Sequence, residues 1–469
     1  MIQLLGFILI PTIGIIAIIL SKILHRPLSE EKTTLAVALA TNFIFFSGLI
    51  LGFQSFSVTI VNSIDFSFNF QLNTLSLPFM LLSVVLPALA LLPAKKEITV
   101  NKGLFYTLYL LIYMSLISVF MSNNLIAFFI FWEIILISFF FIIAYWGEEN
   151  RKRASMKFLI FTQFGSFLLL GAFIIMFIYT GSFTLTTIQS GVESIPFAVA
   201  QVAFVFVLVA AIIKMPLFPL HVWLPDAHVG APTVGSILLA GVLLKMGGYA
   251  LLLFGTLLFQ NVVRAFQPWL MWLGIFTAIY IVLVASAQTD FKRIVAYSSV
   301  LYMSLAFIGA VSLTTIGTYG AVFIMVSHGF IAGMLFTIAG IMKEKTKTRE
   351  INTLGGLNVK MPFFGMFLML AIVATLGVPG LSNFIGEMLS VLGGYAVYPL
   401  VLIVLLSILI ATGYYLNAAK RILFGNLNKL FVSLTDISYI ERFQLSIFSF
   451  FIITLGILPA IIFNMMGNI

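Results

Sequence analysis

The sequence predicts an all-α membrane protein that crosses the bilayer about fourteen times. Its composition is the first indication: 62% of the 469 residues are hydrophobic and only 8% are charged, whereas soluble domains are roughly one quarter charged. Its apolar residues also form runs of about 20 residues, the length that spans a bilayer as a helix. Finally, in lipid only a helix satisfies all its backbone hydrogen bonds within one segment.

The apolar runs are distributed along the whole chain, and short polar connections separate them. Within a few residues, they cover 4–24, 34–53, 74–94, 103–121, 125–145, 154–179, 197–215, 232–254, 267–287, 293–311, 316–341, 361–393, 397–424 and 443–465. The longest polar connections, 54–72 and 180–196, are too short to hold a core, so we expect one transmembrane domain over 1–469. The first run lacks the basic start and small-residue cleavage site of a signal peptide, so we expect it to remain as a helix.

Basic residues lie almost entirely on one side of this predicted topology. Arg264 alone lies on the other side, and Lys214 and Lys245 lie inside helices, which leaves 21 of the 24 Lys and Arg residues on the first side. By the positive-inside rule that side is cytoplasmic or its topological equivalent, so both termini face outward. We therefore expect a multi-pass protein of the cell (inner) membrane. Its net charge of +9 sets orientation and does not indicate a nucleic-acid partner.

The residue types also exclude several cofactor sites. The chain has no cysteine, which excludes disulfides and thiolate-bound iron–sulfur clusters in it. The four histidines, His25, His221, His228 and His328, lack the paired spacing of haem or metal ligands. No glycine-rich phosphate loop follows a strand. We therefore expect no cofactor or metal in this chain.

Five ionisable residues remain inside the predicted helices. They are Glu133, Lys214, Lys245, His328 and Glu387. A charge at the centre of a membrane helix costs at least ~2.5–3.5 kcal/mol on insertion scales, so these side chains are not expected to face lipid.

Each of the five also has a plainer structural reading. Glu133 could only neutralise Lys214, and Lys245 could extend its ammonium to the membrane surface. His328 could be a neutral core histidine bonded to a carbonyl group, and Glu387 could cap a broken helix or form an ion pair. Together, however, charges of both signs on five helices favour a polar path through the bilayer, because proton relays need intramembrane acid–base chains.

Prolines predict that two of the membrane helices are interrupted. Pro216 and Pro219 lie two and five residues after Lys214, and Pro379 precedes Glu387. Proline removes a backbone donor and clashes with the preceding turn, so the seventh and twelfth helices should break beside a buried charge. Ordinary proline kinks are also common in membrane helices.

Interrupted helices at matching places in two halves are typical of inverted-repeat transporters. We therefore predict two inverted five-helix repeats, helices four to eight over 103–254 and helices nine to thirteen over 267–424. The segments 1–94 and 441–469 would then flank the repeats.

The predicted break in the seventh helix suggests a role for Lys214, which lies beside it. Burial disfavours the charged form of a lysine, and a nearby carboxylate favours it. If Glu133 approaches Lys214, the lysine holds its proton; if Glu133 moves away, the proton is released toward the next site. The break supplies unpaired backbone groups and room for water. The sequence thus predicts a Glu133–Lys214 switch, with Lys245, His328 and Glu387 as a relay.

Four motifs resemble those of a known family. They are "FPLHVWLPDAHVGAPTVGSILLAGVLLKMGGYALLLF" (218–254), "QTDFKRIVAYSSVLYMSLAFIG" (288–309), "SHGFIAGMLF" (327–336) and "GVPGLSNFIGEML" (377–389). They closely resemble the antiporter-like membrane subunits of respiratory complex I. The form of the eighth helix and the glutamate at 387 are most similar to the M-type, or subunit 4-type, member. The resemblance covers nearly the whole chain.

This resemblance implies a proton-carrying subunit in the membrane arm of a donor:quinone oxidoreductase. The family's intramembrane residues map onto the same five positions that the cost of burial selects. His221, Asp226 and His228 in the first motif, and Tyr302 in the second, are candidate accessory residues. Quinone, flavin and iron–sulfur clusters are expected in other subunits of the complex. The partners expected are neighbouring antiporter-like subunits, the lipid bilayer and H⁺.

Two positions depart from the family pattern. Tyr302 stands where the family often has a histidine on helix ten, and Asn73 replaces the usual acid before helix three. A tyrosine relays a proton without charging near neutral pH. These departures suggest a divergent complex whose electron donor need not be NADH. Three alternatives stay open: a subunit of a cation/proton antiporter, a subunit of a membrane-bound hydrogenase, and an arm subunit that no longer pumps.

Overall fold

The computed structural model describes residues 2–24, 29–52, 56–61 and 66–467, and most of them are helical. His25 lies outside the described residues. The helices are α1 Ile2–Ile23, α2 Glu30–Leu51, α3 Ser76–Glu97, α4 Lys102–Met121, α5 Leu125–Trp146, α6 Arg151–Thr180, α7 Leu185–Gly191, α8 Phe197–Lys214, α9 Trp223–Gly230, α10 Thr233–Leu238, α11 Leu244–Ala250, α12 Gln260–Ser286, α13 Phe291–Val311, α14 Thr315–Thr346, α15 Pro362–Thr375, α16 Ser382–Tyr395, α17 Val404–Leu423, α18 Tyr439–Ile457 and α19 Ala460–Met466. Two strands, β1 Phe56–Val61 and β2 Phe66–Phe70, lie between α2 and α3.

Thirteen helical segments in the described part of the chain are long and apolar enough to cross a membrane. One of them, Thr233–Thr256, combines α10 and α11 with two π-helical segments. The predicted run 361–393 consists of two shorter helices, α15 and α16, because the chain leaves helical geometry over 376–381, where the sequence predicts a break at Pro379. The predicted polytopic all-α membrane fold is confirmed.

Side-chain caps mark where several of these helices begin. Asn124 accepts hydrogen bonds from the backbone of the first turn of α5, and Asp290 and Thr314 do the same for α13 and α14. Ser438 and Glu441 form a reciprocal capping box at α18. These caps satisfy backbone donors that have no partner inside the helix.

The backbone divides into two compact units. The first comprises 1–214, 230–232 and 245–265, and the second comprises 215–229, 233–244 and 266–469. The two predicted repeats, 103–254 and 267–424, stay a prediction.

In the first unit, α4 packs against α1, α3 and α5, and α6 packs against α5 and α8. The hairpin of β1 and β2 adds a small antiparallel sheet that the sequence analysis assigned to a polar connection. Phe68 and Phe70 of β2 lie about 6 Å from the ring of Phe131 on α5, centroid to centroid (5.9 and 6.0 Å). The hairpin therefore rests on the helix that carries Glu133.

In the second unit, α14 is the central helix and packs against α13, α15, α16 and α18. Glycines allow a close approach of α14 and α16: a Cβ at Gly386 would lie 2.6 Å from the backbone of Ile324, and one at Gly320 would lie 2.3 Å from the backbone of Ser390. Small residues at such contacts let membrane helices pack backbone to backbone. This contact brings the helix of Glu387 against the helix of His328.

Candidate functional site

Lys214 is the last residue of α8, and its side chain is fully buried. Its Nζ lies 4.7 Å from the centroid of the Trp132 ring on α5. Trp132 is itself buried, and its Nε1 donates a hydrogen bond to Ser166 Oγ on α6 (3.1 Å). A cation over an indole face at this distance is an attractive cation–π contact. The hydrogen bond to α6 therefore orients the Trp132 ring, and the face of this ring lies against the Lys214 ammonium at the end of α8.

Glu133 follows Trp132 on α5 and lies close enough to Lys214 for electrostatic interaction. No hydrogen bond joins the two among the described residues: Lys214 Nζ and Glu133 Oε1 are both buried without a hydrogen-bond partner. The structure therefore places Glu133 within electrostatic range of Lys214. The predicted Glu133–Lys214 switch stays a prediction.

The chain after Lys214 leaves helical geometry, and the next helix, α9, begins at Trp223. Pro216 and Pro219 both lie in this break. The backbone N–H of Phe218, in the same segment, donates to Thr277 Oγ1 on α12 (3.3 Å). A side chain thus satisfies one backbone group that the lost helix would have paired.

The accessory candidates of the first motif have separate surroundings within the second unit. His221 lies beside Tyr280, with ring centroids 5.5 Å apart. His228 is fully buried and stacks on Phe336 of α14 (4.4 Å). Asp226 forms a partly exposed ion pair with Arg293 (3.9 Å). These contacts give the two histidines aromatic packing partners and place Asp226 near the surface.

Lys245 lies in α11, fully buried, between two π-helical segments, Leu239–Leu243 and Leu251–Thr256. The second of these segments packs against α8, the helix of Lys214. Short π segments interrupt the regular ladder and are frequent at functional sites. The sequence analysis did not identify them, because no proline or glycine pattern marks a π turn.

Asn73 lies near Tyr249, which follows Lys245 by four residues on the same membrane span. The side chains of Asn73 and Tyr249 are within interaction range of each other. Asn73 Oδ1 also accepts from the backbone N–H of Ser76 at the start of α3 (2.7 Å), and Ser76 Oγ donates back to Asn73 O (2.9 Å). Asn73 therefore both organises the start of α3 and contacts the helix of Lys245.

The second break separates α15 from α16. Gly377 and Gly380 both have positive φ, +64° and +92°, a geometry that glycine adopts without strain. Pro379 lies between them. The backbone therefore turns sharply just before the helix of Glu387.

Glu387 is buried against this turn. A Cβ at Gly377 would lie 2.2 Å from Glu387 Oε2, so the carboxyl occupies the space that a side chain would fill. Asn383, one turn earlier on α16, donates from Nδ2 to Glu387 Oε1 (2.5 Å). The carboxyl is thus held between a glycine and an amide.

Tyr302 and His328 lie in the same unit, with ring centroids 5.0 Å apart. The Tyr302 hydroxyl donates to the carbonyl oxygen of Thr375, the last residue of α15 (2.5 Å). Tyr302 therefore contacts both the histidine of α14 and the end of the broken helix.

The five predicted proton-carrying residues, together with Tyr302, are divided between the two units. Glu133, Lys214 and Lys245 belong to the first unit, and Tyr302, His328 and Glu387 belong to the second. Sequence reasoning missed Trp132 and Asn383. Signals existed for both: an aromatic residue directly before Glu133, and an amide at i−4 from Glu387 on one helix face.

Residues 122–412 match the family described as NADH:quinone oxidoreductase/Mrp antiporter, transmembrane. The chain is 34% identical over 470 residues to the NADH-quinone oxidoreductase subunit M of Rickettsia prowazekii, covering 97% of this chain and 95% of that protein. It is 35% identical over 431 residues to the F420H2 dehydrogenase subunit M of Methanosarcina mazei, covering 88% of this chain and 85% of that protein.

The fold is also similar to a chain of respiratory complex I from Thermus thermophilus, solved with bound NADH. The TM-score is 0.89 at 27% identity, and the match covers 99% of this chain and 97% of that chain. The likeness therefore extends over essentially the whole molecule.

Proposed function

Because the chain belongs to the NADH:quinone oxidoreductase/Mrp antiporter transmembrane family, we propose that it moves protons across the membrane through its buried ionisable residues. It is an antiporter-like membrane subunit of a complex I-like donor:quinone oxidoreductase. The proposed proton-carrying groups are Glu133, Lys214, Lys245, His328 and Glu387.

The observation that carries this proposal is the surroundings of Lys214. A fully buried ammonium lies over the Trp132 ring, close to Glu133, at the end of a broken helix. A desolvated cation–π contact stabilises a cation by about 2 kcal/mol or more. The nearby carboxylate of Glu133 also favours the charged form of the lysine.

The presence of two stabilising neighbours, one aromatic and one charged, suggests a two-step exchange. With Glu133 close, both partners stabilise the ammonium and Lys214 holds its proton. When Glu133 withdraws, Trp132 alone remains, and the proton passes from Lys214 toward Lys245. The broken segment after Lys214 supplies backbone groups that water can bind. His328, Tyr302 and Glu387 then form the second half of the path.

Assembly and orientation complete the proposal. The chain is a membrane subunit of a multi-subunit complex, and we propose neighbouring antiporter-like subunits as its direct partners. Quinone, flavin and iron–sulfur clusters would be held by other subunits. The basic connections would face the cytoplasm and both termini would face outward, by the positive-inside rule.

The family description also names Mrp antiporters, so a subunit of a cation/proton antiporter is the second candidate. In such an antiporter, the same buried residues would carry protons. Proton movement would be coupled to the movement of another cation and not to electron transfer. A membrane-bound hydrogenase subunit is the related alternative. Genes for quinone-site and iron–sulfur subunits beside this one support the oxidoreductase, and genes for small antiporter or hydrogenase subunits support the alternatives.

The proposal is tested by counting protons. The assembled complex, in closed vesicles, oxidises its donor (NADH and F420H2 are each tried) while proton translocation and electron transfer are recorded together. We expect Glu133→Gln to lower the proton-to-electron ratio while assembly survives. Arg264→Ala, at an exposed position, is the control and should keep the wild-type ratio. A wild-type ratio in Glu133→Gln would contradict the proposal.

A further inference from the structure

Asn383 is a fully buried amide at the start of α16, and its side chain has defined partners on three sides. Its Nδ2 donates to Glu387 Oε1 (2.5 Å) and to the carbonyl oxygen of Thr375 (3.3 Å). Its Oδ1 accepts from Ser327 Oγ on α14 (3.2 Å). One side chain therefore connects the carboxyl of Glu387, the end of α15 and the central helix.

The carbonyl oxygen of Thr375 needs hydrogen-bond donors, which explains the amide side chain at position 383. Thr375 ends α15, so its carbonyl oxygen has no partner in a following turn. It accepts from Tyr302 Oη (2.5 Å) and from Asn383 Nδ2 instead. A carboxylate at 383 would offer no donor to this oxygen, and an apolar residue would offer none either.

Ser327 directly precedes His328 on α14, and its hydroxyl is shared between Ser382 Oγ (3.1 Å) and Asn383 Oδ1 (3.2 Å). The start of α16 is thus tied to the same turn of α14 that carries the histidine. Gly377 supports the carboxyl from the other side, because its missing side chain leaves room for Glu387 Oε2.

We infer that Asn383 is the positioning residue that holds the carboxyl of Glu387 between the broken end of α15 and the His328 turn of α14. This inference rests on the proposed role of Glu387 as a proton-carrying group. An amide neither gains nor loses a proton near neutral pH, so Asn383 does not carry the proton itself. It fixes where the carboxyl stands when the proton arrives or leaves.

The test compares Asn383→Leu with two other variants in the assembled complex. Asn383→Leu keeps approximate size and removes all three hydrogen bonds. Glu387→Gln removes the titrating group and identifies its infrared band. Ser390→Ala is the matched control, since Ser390 is buried on the same helix and its Oγ has no hydrogen-bond partner within the described chain.

Two quantities are measured: the proton-to-electron ratio in vesicles, and the carbonyl stretch of the protonated Glu387 in infrared difference spectra recorded on changing the pH. A carboxylic acid that loses a hydrogen bond to its carbonyl oxygen absorbs at higher frequency. We expect Asn383→Leu to lower the ratio and to shift this band upward, and Ser390→Ala to change neither. A merely structural role would leave the band in place.

The outcomes separate the two claims. A wild-type ratio and an unshifted band in Asn383→Leu, together with a lowered ratio in Glu387→Gln, would overturn the positioning role alone. A wild-type ratio in Glu387→Gln would overturn the proposed role of Glu387, and this inference with it. If Asn383→Leu prevents assembly, Asn383→Asp takes its place, because it keeps shape and the acceptor for Ser327 but removes the amide donor.

Discussion

The ammonium of Lys214 lies 4.7 Å from the centroid of the Trp132 ring, and Trp132 directly precedes Glu133 on α5. The lysine therefore has two stabilising neighbours on one turn of a neighbouring helix, one charged and one aromatic. The hydrogen bond from the indole to Ser166 holds the ring in this orientation.

The indole ring should be needed for full pumping. Trp132→Leu removes about 2 kcal/mol of support for the buried ammonium. We expect it to lower the proton-to-electron ratio of the assembled complex, and Trp132→Phe, with a weaker aromatic face, to fall between leucine and wild type. Ser166→Ala keeps the ring and serves as the control, with a smaller loss than Trp132→Leu. Equal ratios in Trp132→Leu and wild type would show that the ring has no part in transport.

Gly377 should be intolerant of any side chain for two reasons. Alanine there would adopt positive φ, which costs about 1–2 kcal/mol, and its Cβ would meet the Glu387 carboxyl at 2.2 Å. Gly380 also has positive φ but nothing lies within 4 Å of its added Cβ. We expect both alanine variants to lower the thermal unfolding midpoint of the complex.

The two glycine variants should differ in transport. Only Gly377→Ala displaces Glu387, so only this variant should lower the proton-to-electron ratio measured on intact complexes. Gly380→Ala reports the cost of backbone strain alone. An equal fall in the ratio for both variants would mean that the carboxyl position is not what Gly377 protects.

The sequence was sufficient to predict the membrane spans and both helix breaks. Apolar runs and prolines are local signals, and helix α8 ends at Lys214, two residues before Pro216. The buried charges could be selected because their cost in lipid is large and needs no partner to be recognised.

The hairpin of β1 and β2 was missed, although "FSVTIV" and "FSFNF" alternate in the way that strands do. The segment was assigned to a polar connection because it is more polar than the apolar runs on either side. The spacing of Asn383 and Glu387 on one helix was a local signal that went unused. The contacts of Trp132 with Lys214 and of Asn383 with Ser327 join residues far apart in sequence, and one sequence carries no information on such pairs.

Asn73 should act mainly as the cap of α3. Asn and Asp are nearly equal at such a position, whereas replacement by alanine costs about 1 kcal/mol. We expect Asn73→Ala to lower the stability of the complex by about that amount, and Asn73→Asp to keep it near wild type. Thermal unfolding followed by loss of activity measures the difference. A greater loss in Asn73→Asp than in Asn73→Ala would contradict the capping role.

The Asp226–Arg293 ion pair should contribute little. Both side chains are partly exposed, at 31% and 40%, and their atoms are 3.9 Å apart; such pairs contribute about 0–1 kcal/mol. We expect Arg293→Ala to change the stability of the complex by less than about 1 kcal/mol and to leave the proton-to-electron ratio unchanged. Thermal unfolding and proton counting measure the two quantities. A clear fall in the ratio would give this pair a part in transport.

The most direct test of the account is the proton-to-electron ratio of complexes that carry Lys214→Arg. Arginine keeps the positive charge beside Glu133 and Trp132 but does not release its proton at any physiological pH. If Lys214 takes up and releases protons, Lys214→Arg is as impaired as Lys214→Ala. If Lys214→Arg pumps at the wild-type ratio, the lysine is only a fixed partner for the Glu133 charge, and the proposed switch is wrong.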